Sequence, residues 1–559
     1  MKDDIAVTRP GGRILVDALH GQNVDHLFCV PGESFLAVLD ALYDASIEVT
    51  VCRQEGGAAM MADAYGKLTG RPGICLVTRG PGATNASAGV HIAAQDSTPM
   101  ILLIGQIERG MRYREAFQEV DYTQMFGGMA KWVAEIDQAE RIPEFIHRAF
   151  SVAMAGRPGP VVLSLPEDML VDTAAVADAP YVEPVPIAPP APAMAALERM
   201  LAEAERPFVI VGGARWSERG VDDMHRFAER FDLPVAASFR RQMLFDQTHQ
   251  NYAGDIGLGP NPALCERVRA ADLLLLIGGR MSESPSQGYT LIDVPVPRQK
   301  LVHVHPDAQE LGRVYAPSLA INADPPSFAA AAAALEPPAT IGWRATTRAC
   351  NEAYHAWSDE APPTPGDVQY GEIMCWLREE LPADTIICNG AGNFSAWIHR
   401  FFRFRGFGTQ LAPASGSMGY GTPAAVAAKR MLPERTVVAF AGDGDFLMNG
   451  QELATAVKYG LGIIVIVVNN AMYGTIRMHQ EREYPGRVSA TDLVNPDFAA
   501  LARAYGAHGE RVERTEEFAG AFERAAAAGK PALIELIVDP EAITPSTTLS
   551  AMREKALAK

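Results

Sequence analysis

No apolar run in this 559-residue chain approaches the ~20 residues that a membrane-spanning helix needs. The first stretch, MKDDIAVTRPGGR, lacks the apolar core of a signal peptide, and a cytoplasmic protein is expected. Cysteine is scarce. The seven residues at 29, 52, 75, 265, 350, 375 and 388 are scattered, with no CxxC pair. Several fall inside apolar segments, so they read as reduced core thiols rather than a metal cluster or a disulfide frame. Positive charge is in deficit: 49 Lys and Arg stand against 67 Asp and Glu, a formal net charge of −18. That balance disfavours nucleic acid and anionic membranes as partners. No internal repeat stands out, and there is no low-complexity segment beyond Ala-rich helices.

What is present is an ordinary globular composition, 48% hydrophobic and 21% charged, enough for large cores. The length suggests roughly three or four domains. Short apolar runs alternate with helical patterns throughout, which predicts an α/β protein built of doubly wound, mostly parallel sheets. A Pro-rich stretch after residue 175 and another near residue 362 read as linkers. The expected domains are therefore 1–175, 195–340 and 369–540, followed by a tail over 541–559.

The segment Thr436 to Gln480 organises the chain. Val437 to Ala441 reads as a buried strand, Gly442-Asp443-Gly444 as a turn, and the following residues as a helix. A second apolar strand, Ile463 to Val468, runs into Asn469-Asn470. Parallel strands place their carboxyl ends on one edge, where open α/β sheets bind ligands. Asp443 and Asn470 both fall at such ends. A carboxylate and an amide oxygen are hard ligands suited to Mg²⁺, which favours substrate phosphates. Gly442 and Gly444 let backbone N–H groups approach a diphosphate at a helix N-terminus. A lone GDG turn is more often an ordinary βαβ unit. A GDG followed 27 positions later by the second Asn of NN, each closing an apolar strand, is far more specific.

GDGDF through VVNNAMYG resembles the diphosphate and metal motif of thiamine diphosphate enzymes. RQEGGAAMMADAYGKLTGRPGICLVTRGPGATN resembles the N-terminal domain of the acetolactate synthase-like group in that family, and the likeness extends over nearly the whole chain. The resemblance implies a pyrimidine-binding domain, a central domain and a diphosphate-binding domain. Metal would rest on Asp443, Asn470 and the backbone carbonyl of Met472. Glu55 would hydrogen-bond the aminopyrimidine ring, with Thr78, Pro81 and Asn85 beside it. Gly392 and Asn393 match the diphosphate step; Gly416 and Met418 match the stretch holding the middle of the cofactor. Gly442, Gly444, Asp445 and Gly474 complete the cofactor contacts. By the same carry-over Phe117 and Gln118 lie near the substrate.

Departures from the family pattern mark further candidates. Glu33 replaces a Gly and is a candidate proton carrier. Arg79 replaces a small residue, and either binds an anionic substrate or pairs with a neighbouring acid. His479 stands where a Trp usually shapes second-substrate choice. Catalytic candidates are thus Glu55, Gln118, Glu33 and His479; Glu33, Arg79, Phe117, Gln118 and His479 are the substrate-binding set. The activity implied is Mg²⁺-dependent decarboxylation of a 2-oxo acid with carboligation. A 2-hydroxyacyl-CoA lyase or oxalyl-CoA decarboxylase-like enzyme is the alternative, and a catalytically silent ThDP- or nucleotide-binding subunit is the reading of another class. In the central domain GGRMSES keeps only Arg280 of the flavin-associated pattern, which leaves FAD, ADP or no nucleotide open. The family implies a homodimer or homotetramer with active sites between subunits. His303 and His305 share one strand face and read as structural.

Overall fold

The computed structural model describes residues 7–558. Among them are three six-stranded sheets, each with every strand pair parallel, flanked by helices. Two compact units contain them: residues up to Val185 together with Val426–Met431, and residues 186–425 together with those from Leu432 onward.

In the first unit the spatial strand order is Glu48–Val51, His26–Cys29, Gly73–Val77, Met100–Gln106, Pro160–Pro166, Trp132–Glu135. The inner strands are buried on both faces, which explains their unbroken apolar runs. A short antiparallel pair, Thr8–Pro10 with Thr173–Ala175, ties the start of this sheet's chain to its end. The helices Glu55–Thr69 and Pro81–Asp96 pack at close range. A Cβ on Gly89 would lie 2.3 Å from the Ala59 Cβ, so this crossing requires glycine.

The second unit holds the other two sheets. One runs Tyr252–Ile256, Val235–Ser238, Pro207–Val211, Leu273–Ile277, Lys300–His305, Leu319–Asn322. The other runs Gln410–Leu411, Ile386–Asn389, Val437–Gly442, Ile464–Asn469, Ala532–Ile537, His508–Val512. Buried polar side chains join the two domains. The Gln242 backbone N–H donates to Gln410 Oε1 at 2.9 Å, and Gln410 Nε2 donates to Gln242 Oε1 at 2.8 Å. Arg240 donates to the carbonyls of Gly390 and Pro413 at 2.8 and 2.5 Å. Buried amides and guanidinium groups satisfied in this way fix one relative register of the loops they touch.

His303 and His305 are buried, as their strand position suggested, with His303 Nε2 hydrogen-bonded to the Gly279 carbonyl at 2.9 Å. Burial lowers the pKa of both, His305 to about 4, so they sit neutral in the core. All seven cysteines are free thiols and six are buried. No helix among the described residues is long and apolar enough to cross a membrane.

Candidate active site

The third sheet changes direction between Ile386–Asn389 and Val437–Gly442: the chain adds its next strand on one side of the former and its later strands beyond the latter. Ligands bind outside the carboxyl ends of strands at such a switch point. A cavity of about 390 Å³ lies there. Its wall is built from the loop after the first of these strands, Ala391 to Phe394, and from Gly442 to Asp445 at the end of the second. Gly416 and Met418 line it from a third loop, and Asn470, Met472 and Gly474 from the end of Ile464–Asn469. Every candidate diphosphate and metal residue of the third domain therefore meets in one cavity.

The acids explain how the wall is held. Asp443 opens a helix, is buried, and accepts hydrogen bonds from Gly444 N at 2.9 Å and Asn495 Nδ2 at 2.7 Å. The same Asn495 amide donates to Asn469 Oδ1 at 2.9 Å, so it bridges the two strand ends. Asn470 Oδ1 accepts from Met472 N at 3.2 Å, and the intervening Ala471 has φ +55. Asp445 binds the loops together by accepting from Gly419 N at 2.6 Å and Ala391 N at 3.3 Å. A Cβ on Gly390 would stand 2.2 Å from the Asp445 carboxylate, so only glycine leaves this acid room. Asp445 Oδ2 is buried without a partner. Burial raises the pKa of Asp443, and raises that of Asp445 to about 7.

The desolvated Asp443 carboxylate, the Asn470 amide and Met472 line one cavity, a hard-oxygen donor set that a divalent cation would satisfy. The start of the helix Asp443–Asn449 borders the same space through Asp443, Gly444 and Asp445. The residues present thus fit a magnesium-bound diphosphate. Asn393 is anchored at the rim, donating to Ile543 O at 3.1 Å and accepting from Thr475 Oγ1 at 2.9 Å.

In the first unit, Glu55 starts the helix Glu55–Thr69, where the Gln54 side chain caps Gly57 N at 3.1 Å. Asn85 Nδ2 donates to Glu55 Oε2 at 2.9 Å. Pro81 occupies the first helical position of Pro81–Asp96, where its missing N–H costs nothing. A Cβ on Gly82 would touch both Thr78 Cγ2 and Glu55 Oε1, at 3.0 and 3.3 Å. Glu55, Thr78, Pro81 and Asn85 therefore form one cluster.

Arg79 sits between two acids, donating to Glu33 at 3.2 Å and Glu167 at 3.1 Å, and to the Phe117 carbonyl at 3.2 Å. Of the two roles open to it, the structure shows the acid pairing. Glu33, Arg79 and Phe117 are joined in this way, and Gln118 follows at φ +65 against Gly80. The Phe117 side chain is 73% exposed. His479 is remote from these four in sequence and lines a second cavity, with its Nδ1 accepting from Arg482 at 2.6 Å.

The residues that sequence reasoning missed are Asn495 and the second-cavity set, which includes Asp255, His399 and Arg400. In the second sheet the turn Gly212–Gly213 and the turn Gly278–Gly279 flank its switch point. Trp216 fills this point: its indole N–H donates to Gly212 O at 2.7 Å, and a Cβ on Gly278 would lie 3.3 Å from it. A side chain of the chain itself thus occupies the space between these two glycine turns.

The fold and this cavity define a class: three parallel-sheet domains, the third with a cavity at the carboxyl ends of its strands. Residues 9–125 match the thiamine pyrophosphate enzyme N-terminal TPP binding domain, 194–332 the central domain, and 390–536 the C-terminal TPP binding domain. An acetolactate synthase large subunit from Parasynechococcus marenigrum is 33% identical over 91% of this chain and 84% of its own length. The large subunit of acetolactate synthase isozyme 2 from Escherichia coli is 30% identical over 98% and 99%. The acetolactate synthase large subunit of Corynebacterium glutamicum is 30% identical over 95% and 87%. The chain belongs to the thiamine pyrophosphate-dependent enzymes, in the family of acetolactate synthase large subunits.

Proposed function

We propose that this enzyme decarboxylates a 2-oxo acid and joins the remaining fragment to a second carbonyl compound, with thiamine diphosphate and Mg²⁺. The observation that carries the reading is the convergence of Asp443, Asn470 and Met472 with Gly392, Gly416 and Met418 on one cavity at the switch point. Asp443, the Asn470 side chain and the Met472 carbonyl would hold the metal, and Gly392, Asn393, Gly442, Gly444, Asp445 and Gly474 would contact the diphosphate arm. When bound, thiamine diphosphate supplies an electron sink for the carbanion left by loss of CO₂.

The chain's own residues bind, orient and exclude water. Asn495 orients Asp443 for the metal, and Asp445 clamps the loops after Asn389 and around Gly419 so that the cavity keeps its shape. In the first unit Glu55 would accept and return a proton at the aminopyrimidine ring, oriented by Asn85. Glu33 would carry a proton for the substrate, held in place by its hydrogen bond from Arg79. Gln118 and Phe117 would border the substrate. His479 would act on the second substrate from its own cavity.

The acyl-CoA lyase alternative is not favoured, because the relatives matched along nearly the whole chain are named acetolactate synthases. Purified protein with thiamine diphosphate and Mg²⁺, screened by mass spectrometry against 2-oxo acids, should release CO₂ and give a 2-hydroxy-3-oxo acid. Turnover confined to acyl-CoA compounds, or none across the panel, would overturn the assignment. A homodimer or homotetramer belongs to the same reading. Light scattering should give a multiple of the 60.1 kDa chain mass, and an active single chain would refute it.

A further inference from the structure

A second cavity of about 380 Å³ adjoins the first and shares Leu258, Gly392, Asn393 and Thr475 with it. Of the proposed cofactor contacts only Gly392 and Asn393, on the shared rim, reach it; Asp443, Asn470, Met472, Gly416 and Met418 line the first cavity alone, which leaves the body of this one for another molecule. Its size is within the ~300–1,000 Å³ typical of small-molecule sites.

Arg400 stands in its wall. The guanidinium lies 3.7 Å from the centroid of the Trp357 ring. Its Nε donates to the Trp357 carbonyl at 2.9 Å and its Nη1 to Ser546 Oγ at 3.0 Å. Both partners are neutral. No carboxylate among the described residues pairs with it, and burial alone lowers its pKa. Nearby arginines behave otherwise: Arg403 pairs with Asp359 at 2.8 Å and Arg378 with Glu379 at 2.7 Å. A half-buried cation without a counter-ion has lost hydration and gained no opposite charge, and an anion in the cavity would restore the balance.

The residue before it adds a second sign of a built site. His399 lines the same cavity, is 3% exposed, and neither ring nitrogen has a hydrogen-bond partner. Burial pushes it down to about 3, so it is a neutral imidazole able to donate to or accept from a ligand. Asp255 lines the cavity too, and burial pushes it up to about 7, which removes a fixed negative charge from the wall over the acid half of the range.

We propose that the second cavity is the chamber for a carboxylate-bearing substrate, and that Arg400 anchors its carboxylate beside Ser546. A planar guanidinium stacked on an aromatic ring is held in orientation, which suits two-point recognition of a carboxylate. On the reading of the enzyme as a carboligase, the molecule is the second 2-oxo acid, whose carbonyl faces the rim shared with the cofactor cavity. That last step rests on the proposed function; the anion site does not.

The test uses the full chain, with and without thiamine diphosphate and Mg²⁺, and reads tryptophan fluorescence, since Trp357 stacks on Arg400. The probes are 2-hydroxyisobutyrate, a carboxylate that cannot react, and its neutral amide. Wild type should bind the acid in preference to the amide. Arg400→Gln should weaken the acid by about tenfold or more, the loss of a charge-assisted contact. Arg400→Lys should fall between, and the amide should be indifferent to all three proteins. Acid binding in Arg400→Gln equal to wild type would overturn the proposal. So would equal binding of acid and amide by wild type, a result that stands even where Arg400→Gln does not fold. Calorimetry of thiamine diphosphate separates the two readings. A chain that cannot bind the cofactor refutes the proposed function, whereas Arg400-dependent preference for the acid in that same chain supports the anion site.

Discussion

Asp443 is the residue on which the metal reading depends. Its carboxylate is buried, lines the cavity, and is oriented by the Asn495 amide, which donates to it at 2.7 Å. Asp443→Ala removes a hard-cation ligand and the bridge to a diphosphate together, and calorimetry should show no Mg²⁺-dependent binding of thiamine diphosphate. Unchanged affinity would refute the metal assignment. Asn495→Ala leaves the ligand but frees it to rotate. It should raise the Mg²⁺ concentration needed for cofactor binding by about 10–100-fold, the usual cost of losing an orienting partner. Asp255 gives a prediction in pH. Its folded value is pushed up to about 7 by burial, whereas the unfolded chain releases that proton near ~4. Between those values the folded protein holds a proton the unfolded chain has lost, so stability falls as pH rises and levels off above about 7. The difference between wild type and Asp255→Asn in urea melts of the cofactor-free protein should therefore grow by up to ~1.4 kcal/mol per pH unit across the window. A flat difference would contradict it. Asp445 titrates in the same direction and remains in both proteins.

At the scale of elements, the inner strands of all three sheets were legible as apolar runs because both of their faces are covered. The strands that escaped notice are edges. Trp132–Glu135, Leu319–Asn322 and His508–Val512 are partly exposed and carry mixed residues, Gln410–Leu411 is two residues long, and Tyr252–Ile256 is interrupted by Gly254 and Asp255. The site divides in the same way. Gly442 to Gly474 was readable because the ligand-bearing turns directly follow buried strands. Asn495 was not, because it reaches Asp443 from a loop 52 residues away, and Arg400 was not, because its missing counter-ion is visible only in three dimensions. The C-terminal helix Leu549–Leu557 shows what such long-range pairing does. Arg553 makes two hydrogen bonds of 2.6 and 2.7 Å to Glu481, which has no exposed side-chain surface and is held down to about 2 by this arginine. Glu481 belongs to Gly474–Glu483, the helix that carries Thr475 and His479. Arg553→Met should cost about 1.5–3 kcal/mol, the range for hydrogen bonds to charged groups, and limited proteolysis should cut after residue 540 faster than in wild type. Unchanged cleavage there would show that the helix is held by its apolar contacts alone, from Leu549 and Met552 to Met472 and Ile543.

For the whole molecule the governing quantity is charge. The chain carries a net −18, and its proposed cofactor brings a diphosphate to a cavity that already holds Asp443 and Asp445. Helix N-terminal N–H groups offset part of that repulsion, but each is a fraction of a charge. On the proposed function a divalent cation between carboxylate and diphosphate should strengthen binding, and each of the two ligands should improve the affinity of the other by the same factor. Thermal unfolding can read this linkage. Ligand that binds only the folded state stabilises it by RT ln(1 + [L]/Kd), or about 1.4 kcal/mol for each tenfold rise in a saturating ligand. Spread over the unfolding entropy of a chain of this length, that amounts to about 1–2 °C per decade of thiamine diphosphate. Mg²⁺ alone and thiamine diphosphate alone should each shift the transition less, and both together should exceed the sum of the separate shifts. In Asp443→Ala the excess should vanish while the melting of the ligand-free protein stays measurable. Additive shifts in wild type, or an undiminished excess in the variant, would mean that metal and cofactor bind independently and that the diphosphate is held without a metal bridge from this residue.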